Sequence, residues 1–107
     1  MAIKSVTASD LEAKVLNAPG VVALDFYQAS CPRCRGLDPR LERIARQYEN
    51  RLPVFRVDID HDMPIAERFG VKSIPTILVI RGGWEVARLD GLITDRDLTA
   101  AFDREAR

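Results

Sequence analysis

Seven consecutive residues, Val21-Val22-Ala23-Leu24-Asp25-Phe26-Tyr27, carry one charge among otherwise apolar or aromatic side chains. A strand with one wet face alternates apolar and polar residues. A run this uniform belongs to a strand covered on both faces. It predicts a central strand with helices above and below, and the other segments must be arranged about it. Gln28-Ala29-Ser30 leads from its end into Cys31-Pro32-Arg33-Cys34, which holds both cysteines of the chain. Downstream, Leu37, Leu41, Ile44, Ala45 and Tyr48 recur at the spacing of a helix with one apolar face. The two thiols therefore stand at a strand-to-helix junction, where one helical turn brings residues i and i+3 together.

The remaining segments fit the same frame. Ile3 to Thr7 alternates weakly, as a short edge strand would. Ser9-Asp10-Leu11-Glu12 reads as a capping box with Ser9 as N-cap and Glu12 at N3, opening a helix that Pro19-Gly20 ends. Pro32 suits the first turn of the cysteine helix, whereas Pro39 lies about two turns inside and predicts a kink. Gly36 weakens the same stretch by ~1 kcal/mol relative to Ala. Val54 to Ile59 forms another strand, residues 60–64 a polar turn, and Ile65 to Phe69 a short helix. Val71 to Pro75 connects to the apolar strand Thr76 to Ile80. Arg81-Gly82-Gly83-Trp84 is a hairpin turn and Glu85 to Asp90 its return strand. Thr94 with Asp97 at N3 caps a last helix whose apolar stripe is Leu98, Ala101 and Phe102. The order β-α-β-α-β-α-β-β-α over residues 1–107 predicts one α/β domain, parallel around Val21–Tyr27 with an antiparallel hairpin at one edge.

Composition narrows the function. Sixteen basic residues balance sixteen acidic ones, so the net charge is zero and the basic excess of a nucleic-acid binder is missing. No apolar run approaches the ~18 residues that cross a bilayer. Met1-Ala2-Ile3-Lys4-Ser5 lacks the basic start and apolar core of a signal peptide, which leaves a cytoplasmic location and a monomer as the expectations. In a reducing compartment a lone pair of cysteines is more often catalytic or metal-binding than structural. As a staple, a loop this short contributes only about 2 kcal/mol. A zinc site needs about four ligands. The chain offers two cysteines and one histidine, His61, which reads as a surface residue in an acidic turn. No metal or other cofactor is expected.

With these landmarks in order, the chain resembles the thioredoxin family from end to end. Asp25-Phe26 stands six residues before Cys31, like the family's buried acid on its central strand. Cys31 and Cys34 match the redox motif opening the second helix, and Pro39 the proline inside it. Ile74-Pro75-Thr76 is similar to the cis-proline loop, Arg81-Gly82-Gly83 with Glu85-Val86 to the hairpin, and Gly91 to the glycine facing the site. The resemblance implies a thioredoxin fold, with a central mixed sheet and helices on both faces. It also implies a protein disulfide reductase without cofactors, recharged by a thioredoxin reductase or another dithiol donor. The departures fall at the motif itself. The family's usual Trp-Cys-Gly-Pro-Cys is here Ser30-Cys31-Pro32-Arg33-Cys34, Tyr27 replaces another common Trp, and the sole Trp84 lies in the hairpin.

Disulfide exchange needs an exposed thiolate, a second thiol within reach and a route for a proton. At a helix N-terminus Cys31 gains from unpaired N–H groups and the helix dipole, both of which favour thiolate, so it should attack first. Cys34, one turn inside, should be the buried resolving thiol of a Cys31–Cys34 redox-active disulfide. Asp25 is either an acid satisfied at a strand edge or the proton acceptor for Cys34, with Arg56 as a nearby counter-charge. Arg33 is either a solvated helix charge or a stabiliser of the Cys31 thiolate. Each tenfold gain in the latter sense stabilises the reduced form by ~1.4 kcal/mol, about 30 mV toward a more oxidising couple than ordinary thioredoxin. Pro75 is trans by default. The resemblance implies cis, with the Ile74 backbone pairing an extended substrate peptide, and Pro32, Ile74, Gly91 and Leu92 forming an apolar dock. A thioredoxin-fold binding module, or a redox partner dedicated to one system, is the alternative function.

Overall fold

The computed structural model describes residues Met1–Ala106, and the expected order of elements is present. β1 (Lys4–Ser5) leads to a π-helical stretch (Glu12–Leu16). β2 (Val21–Tyr27), α1 (Pro32–Tyr48), β3 (Val54–Asp58), α2 (Met63–Arg68), β4 (Thr76–Arg81), β5 (Trp84–Asp90) and α3 (Asp95–Glu105) follow. The five strands form one sheet in the order β1-β3-β2-β4-β5, which puts the apolar run Val21–Tyr27 at its centre. β3 runs parallel to β1 and β2, whereas β4 is antiparallel to both β2 and β5.

The antiparallel part is one strand wider than the edge hairpin expected from sequence. β3 ends where Asp58 pairs with Tyr27, at the C-terminal end of β2. Only the six-residue α2 follows, and the chain does not cross back over the sheet. The chain instead enters β4 at the same end, with Thr76 beside Phe26, and runs the other way.

Pleating sends alternate residues of β2 to opposite faces. Val21 and Ala23 join Leu37, Leu41, Ile44, Leu98 and Phe102 in the core beneath α1 and α3. Val22, Leu24 and Phe26 join Val15, Ile65 and Leu78 in the core beneath the π-helical stretch and α2. Asp25 is in phase with Val21 and Ala23, so it faces α1, the helix that begins beside the cysteines. All five predicted apolar positions of α1 are buried, and the helix continues through Pro39 to Tyr48.

Three local expectations need correction. The stretch Glu12–Leu16 has Leu11 at its N-cap position and no side-chain cap bond, so Ser9 does not cap it. Asp10 Oδ1 accepts from the Thr7 N–H at 2.7 Å, and the Ser9 hydroxyl bonds to that of Thr7 at 2.9 Å. Leu11 is 4% exposed and already in the core, so the chain must turn before it. α2 begins at Met63 rather than Ile65. Pro64 lies in its first turn, where a proline forfeits no helical hydrogen bond. β1 is only Lys4–Ser5. At the hairpin, Gly82 and Gly83 have φ of 57° and 83°, the left-handed pair that a two-residue turn between twisted strands requires.

α3 opens as the sequence predicts. Thr94 Oγ1 accepts from the Asp97 N–H at 3.1 Å while Asp97 Oδ2 accepts from the Thr94 N–H. Arg40 and Arg43 of α1 both reach Asp95 in the first turn of α3, at 2.8 and 2.6 Å. Thr94→Ala removes the cap without touching the core. It should lower unfolding stability by about 1 kcal/mol, read as a shifted denaturant midpoint at unchanged slope.

Candidate active site

Cys31 is the N-cap of α1. Its backbone is extended (φ −88°, ψ 112°), and its Sγ accepts a hydrogen bond from the Cys34 N–H at 3.2 Å. Pro32 occupies the first turn, and the Cys31 N–H donates to the Gln28 carbonyl at 3.1 Å. The sulfur therefore takes up one of the N–H groups that a helix start leaves unpaired, at the positive end of the helix dipole. Both thiols are free, but they are not alike: Cys31 is partly exposed and Cys34 only 2% exposed. Burial, with the hydrogen bond to Cys31 adding, pushes the Cys34 thiol up to about 12. The charges of Cys31 and Asp25 act in the same direction. One sulfur can meet a second molecule; the other keeps its proton until a base removes it.

Asp25 lies on the α1 side of β2, 1% exposed, and its Oδ2 has no hydrogen-bond partner among the described residues. Desolvation raises its carboxyl to about 7, with Arg56 opposing and the charge of Asp38 adding. Arg56 is its register partner on β3, as a counter-charge near this acid requires. Its Nη2 lies 4.0 Å from Asp25 Oδ2 but 3.0 Å from Asp38 Oδ1. Its guanidinium lies over the Tyr27 ring, 4.9 Å from the centroid. Sequence reasoning named Arg56 and missed Asp38. Asp38 follows Cys34 by four residues, beside the buried Leu37 and Leu41, and is itself only partly buried.

The Ile74–Pro75 peptide is cis, as the resemblance implied. Pro75 is buried, and Thr76 Oγ1 fixes the loop by donating to the Ser73 carbonyl at 2.6 Å. The expected apolar dock is divided. Pro75, Gly91 and Leu92 line one groove together with Arg33, Gly36 and Leu37. Ile74 lines a second depression with Ile59, Met63, Ala66 and Val71. Pro32 is exposed and lines neither. Leu92 is 82% exposed, an apolar side chain held open at the groove's lip. Arg33 is exposed and, among the described residues, makes no hydrogen bond or ion pair with either sulfur. Trp84 lies at the Arg81 end of β4, away from the Thr76 end that meets the site. The side chain of His61 is 79% exposed and lies 3.7 Å from Asp58. Among the described residues no three His, Cys, Asp or Glu side chains gather as a metal site would need.

The family model for thioredoxin matches residues 2–104. Thioredoxin 1 of Nostoc sp. is 31% identical over 103 residues, covering 96% of each chain. A thioredoxin of Staphylococcus aureus is 33% identical over 97% of this chain and 98% of its own. Among solved structures, a mutant thioredoxin from Halobacterium salinarum superposes with a TM-score of 0.87 at 25% identity, over 98% of this chain and 91% of that one.

Proposed function

The chain belongs to the thioredoxin family, and from that premise we propose that residues 1–107 act as one unit reducing protein disulfides through Cys31 and Cys34. The Cys31 thiolate attacks one sulfur of the substrate disulfide, forming a mixed disulfide and releasing the other substrate sulfur as a thiolate. Cys34 then gives its proton to Asp25 and attacks the Cys31 sulfur. This closes a Cys31–Cys34 disulfide and releases the second substrate thiolate, so the two electrons lost by the dithiol reside on the substrate. A thioredoxin reductase or another dithiol donor returns the pair to the reduced state.

The supporting observation is the inequality of the two sulfurs. Cys31 is accessible and accepts an N–H at a helix start, whereas Cys34 is buried and proton-retentive. Asp25, raised to about 7, suits a general base, which works best when its pKa lies near the working pH. The substrate chain lies across the Ile74–Pro75 loop, its backbone pairing with that of Ile74. Gly91 lets it approach, and Pro32 and Arg33 contact its flank. With φ of 71°, Gly91 holds a conformation that a side chain would strain. Among the described residues Arg33 has no ion-pair partner, so its charge is available to the Cys31 thiolate. We therefore place the potential above the ~−270 mV of ordinary thioredoxin by about 30 mV. The working setting is the reducing cytoplasm, and the working form a monomer.

Three measurements test this reading. Insulin reduction driven by dithiothreitol should proceed, and its absence would overturn the proposal. Coupling to NADPH through a thioredoxin reductase asks whether the ordinary circuit recharges the protein. Activity in the first assay without the second assigns the chain to a dedicated donor, the alternative favoured by the exposed Ser30 and Arg33 at the motif. Equilibration with glutathione gives the potential, and a value at or below that of ordinary thioredoxin refutes the contribution of Arg33.

A further inference from the structure

We propose that Asp38 is a positioning residue for Asp25: it holds the Arg56 guanidinium just beyond hydrogen-bond distance of the buried acid, and so keeps Asp25 a strong proton acceptor. The inference rests on reading Asp25 as the base for Cys34. It stands on an unequal three-body geometry. Arg56 Nη2 has two carboxylates within reach, and the closer, at 3.0 Å against 4.0 Å, is not the more deeply buried one. The side chain of Asp38 is 37% exposed and that of Asp25 only 2%. Among the described residues two buried polar atoms of this cluster lack hydrogen-bond partners, Asp25 Oδ2 and Arg56 Nε, and they belong to the pair that ought to have bonded to each other.

A desolvated carboxylate attracts a guanidinium more strongly than a half-solvated one does, because less water screens it. Two features hold Arg56 away from Asp25: the bond to Asp38, and the Tyr27 ring beneath the guanidinium. The result is a partial counter-charge. The cation is near enough to limit the cost of ionising Asp25, yet it does not bond to the anion and make it a weak base. The ionisable groups facing Asp25 are Arg56 from β3 and Asp38 with Cys34 from α1. On its β4 side the register partner is apolar Ile77, and Tyr27 of β2 lies under Arg56. Releasing Arg56 toward Asp25 removes a like charge and supplies a bonded opposite charge. Both changes favour the ionised acid.

The test is a titration of the Asp25 carboxyl by carbon NMR in the reduced protein, wild type against Asp38→Ala and Asp38→Asn. The Asp25 midpoint should fall by about one unit in Asp38→Ala. It should fall less in Asp38→Asn, whose carbonyl can keep the bond to Nη2 without the charge. In an Arg56→Met background, Asp38→Ala should move the midpoint by less than half as much, since only direct repulsion is then lost. Asp38→Glu should restore the wild-type midpoint. A midpoint that stays or rises in Asp38→Ala, or an equal fall with and without Arg56, overturns the proposal. If Asp38→Ala does not fold, the nearly isosteric Asn variant decides the sign. The titration needs no turnover, so the two readings fail separately. A midpoint that moves while the pH profile of mixed-disulfide resolution stays fixed sinks the role of Asp25 as the base and leaves that of Asp38 intact.

Discussion

Asp25→Ala should make the protein more stable above neutral pH, and the gain should vanish in acid. The folded chain holds this carboxyl at about 7 against an ordinary value of 3.8, chiefly because burial disfavours its charged form. Between those values the folded state binds the proton more tightly than the unfolded state, so stability falls as pH rises through the window. Well below pH 3.8 the acid is neutral in both states and costs nothing. Above pH 7 the full difference of roughly three units applies, an upper figure of about 4 kcal/mol. The variant lacks the group and therefore the pH-dependent loss. Truncation also leaves a small cavity, but its cost is the same at every pH. The quantity to read is thus the variant's advantage at pH 8 minus its advantage at pH 4, by denaturant titration. A difference of up to about 4 kcal/mol is expected, corresponding to a melting difference of at most about 15 °C. An advantage equal at the two pH values would mean that Asp25 titrates in the folded chain as it does in water.

That cost links the part of the molecule legible in the sequence with the part that was not. The strand Val21–Tyr27 was readable because six apolar or aromatic residues around one acid cannot be left wet, and the same uniformity marks Asp25 as an acid without solvent. α1 was readable from the spacing of Leu37, Leu41, Ile44, Ala45 and Tyr48, all of which are buried. Spacing also carried the Gly82-Gly83 turn and the Thr94–Asp97 cap, since both depend on residues within one turn of each other. The misplaced features depend on competition between choices of similar local energy. Thr7 and Ser9 each stand three residues before an acid. The Thr7 N–H, not that of Ser9, bonds to the acid three residues on, a choice that spacing alone does not make. β4 could not be oriented from its own residues, because its direction depends on the end of the sheet at which the connection delivers it. Asp38 was invisible for a different reason. Its partner Arg56 lies eighteen residues away, and a surface acid on a helix has the same spelling as one drawn into a strand-borne cation. The split dock has the same origin, since Ile74 and Pro75 are adjacent in sequence but line depressions on different sides of the loop.

Cys34→Ser should accumulate substrate proteins bound through Cys31, whereas Cys31→Ser should accumulate almost none. Both variants lose turnover, because a full cycle needs two sulfurs, so an activity assay alone does not separate attack from resolution. Covalent capture does. With Cys34 replaced, Cys31 keeps its place at the start of α1, its partial exposure and the residue-34 N–H that it accepts. It still attacks, but no thiol remains to release the product. With Cys31 replaced, the remaining sulfur is still 2% exposed, and burial, the largest cause of its raised pKa, still disfavours its thiolate. Reaction with a bulky protein disulfide is further limited by access. Capture by the pre-reduced variant from a cell extract whose protein disulfides are left intact, read as thiol-releasable bands, should favour Cys34→Ser by on the order of a hundredfold or more. Adding Asp25→Asn to the wild-type dithiol should move the reaction partway toward the trapped state, because the attacking Cys34 then lacks a base worth about 10²-fold or more in rate. Mixed disulfide should become visible transiently in single-turnover mixing, decaying faster as pH rises and solvent hydroxide replaces the missing carboxylate. Equal capture by Cys31→Ser and Cys34→Ser would reverse the roles of the two sulfurs.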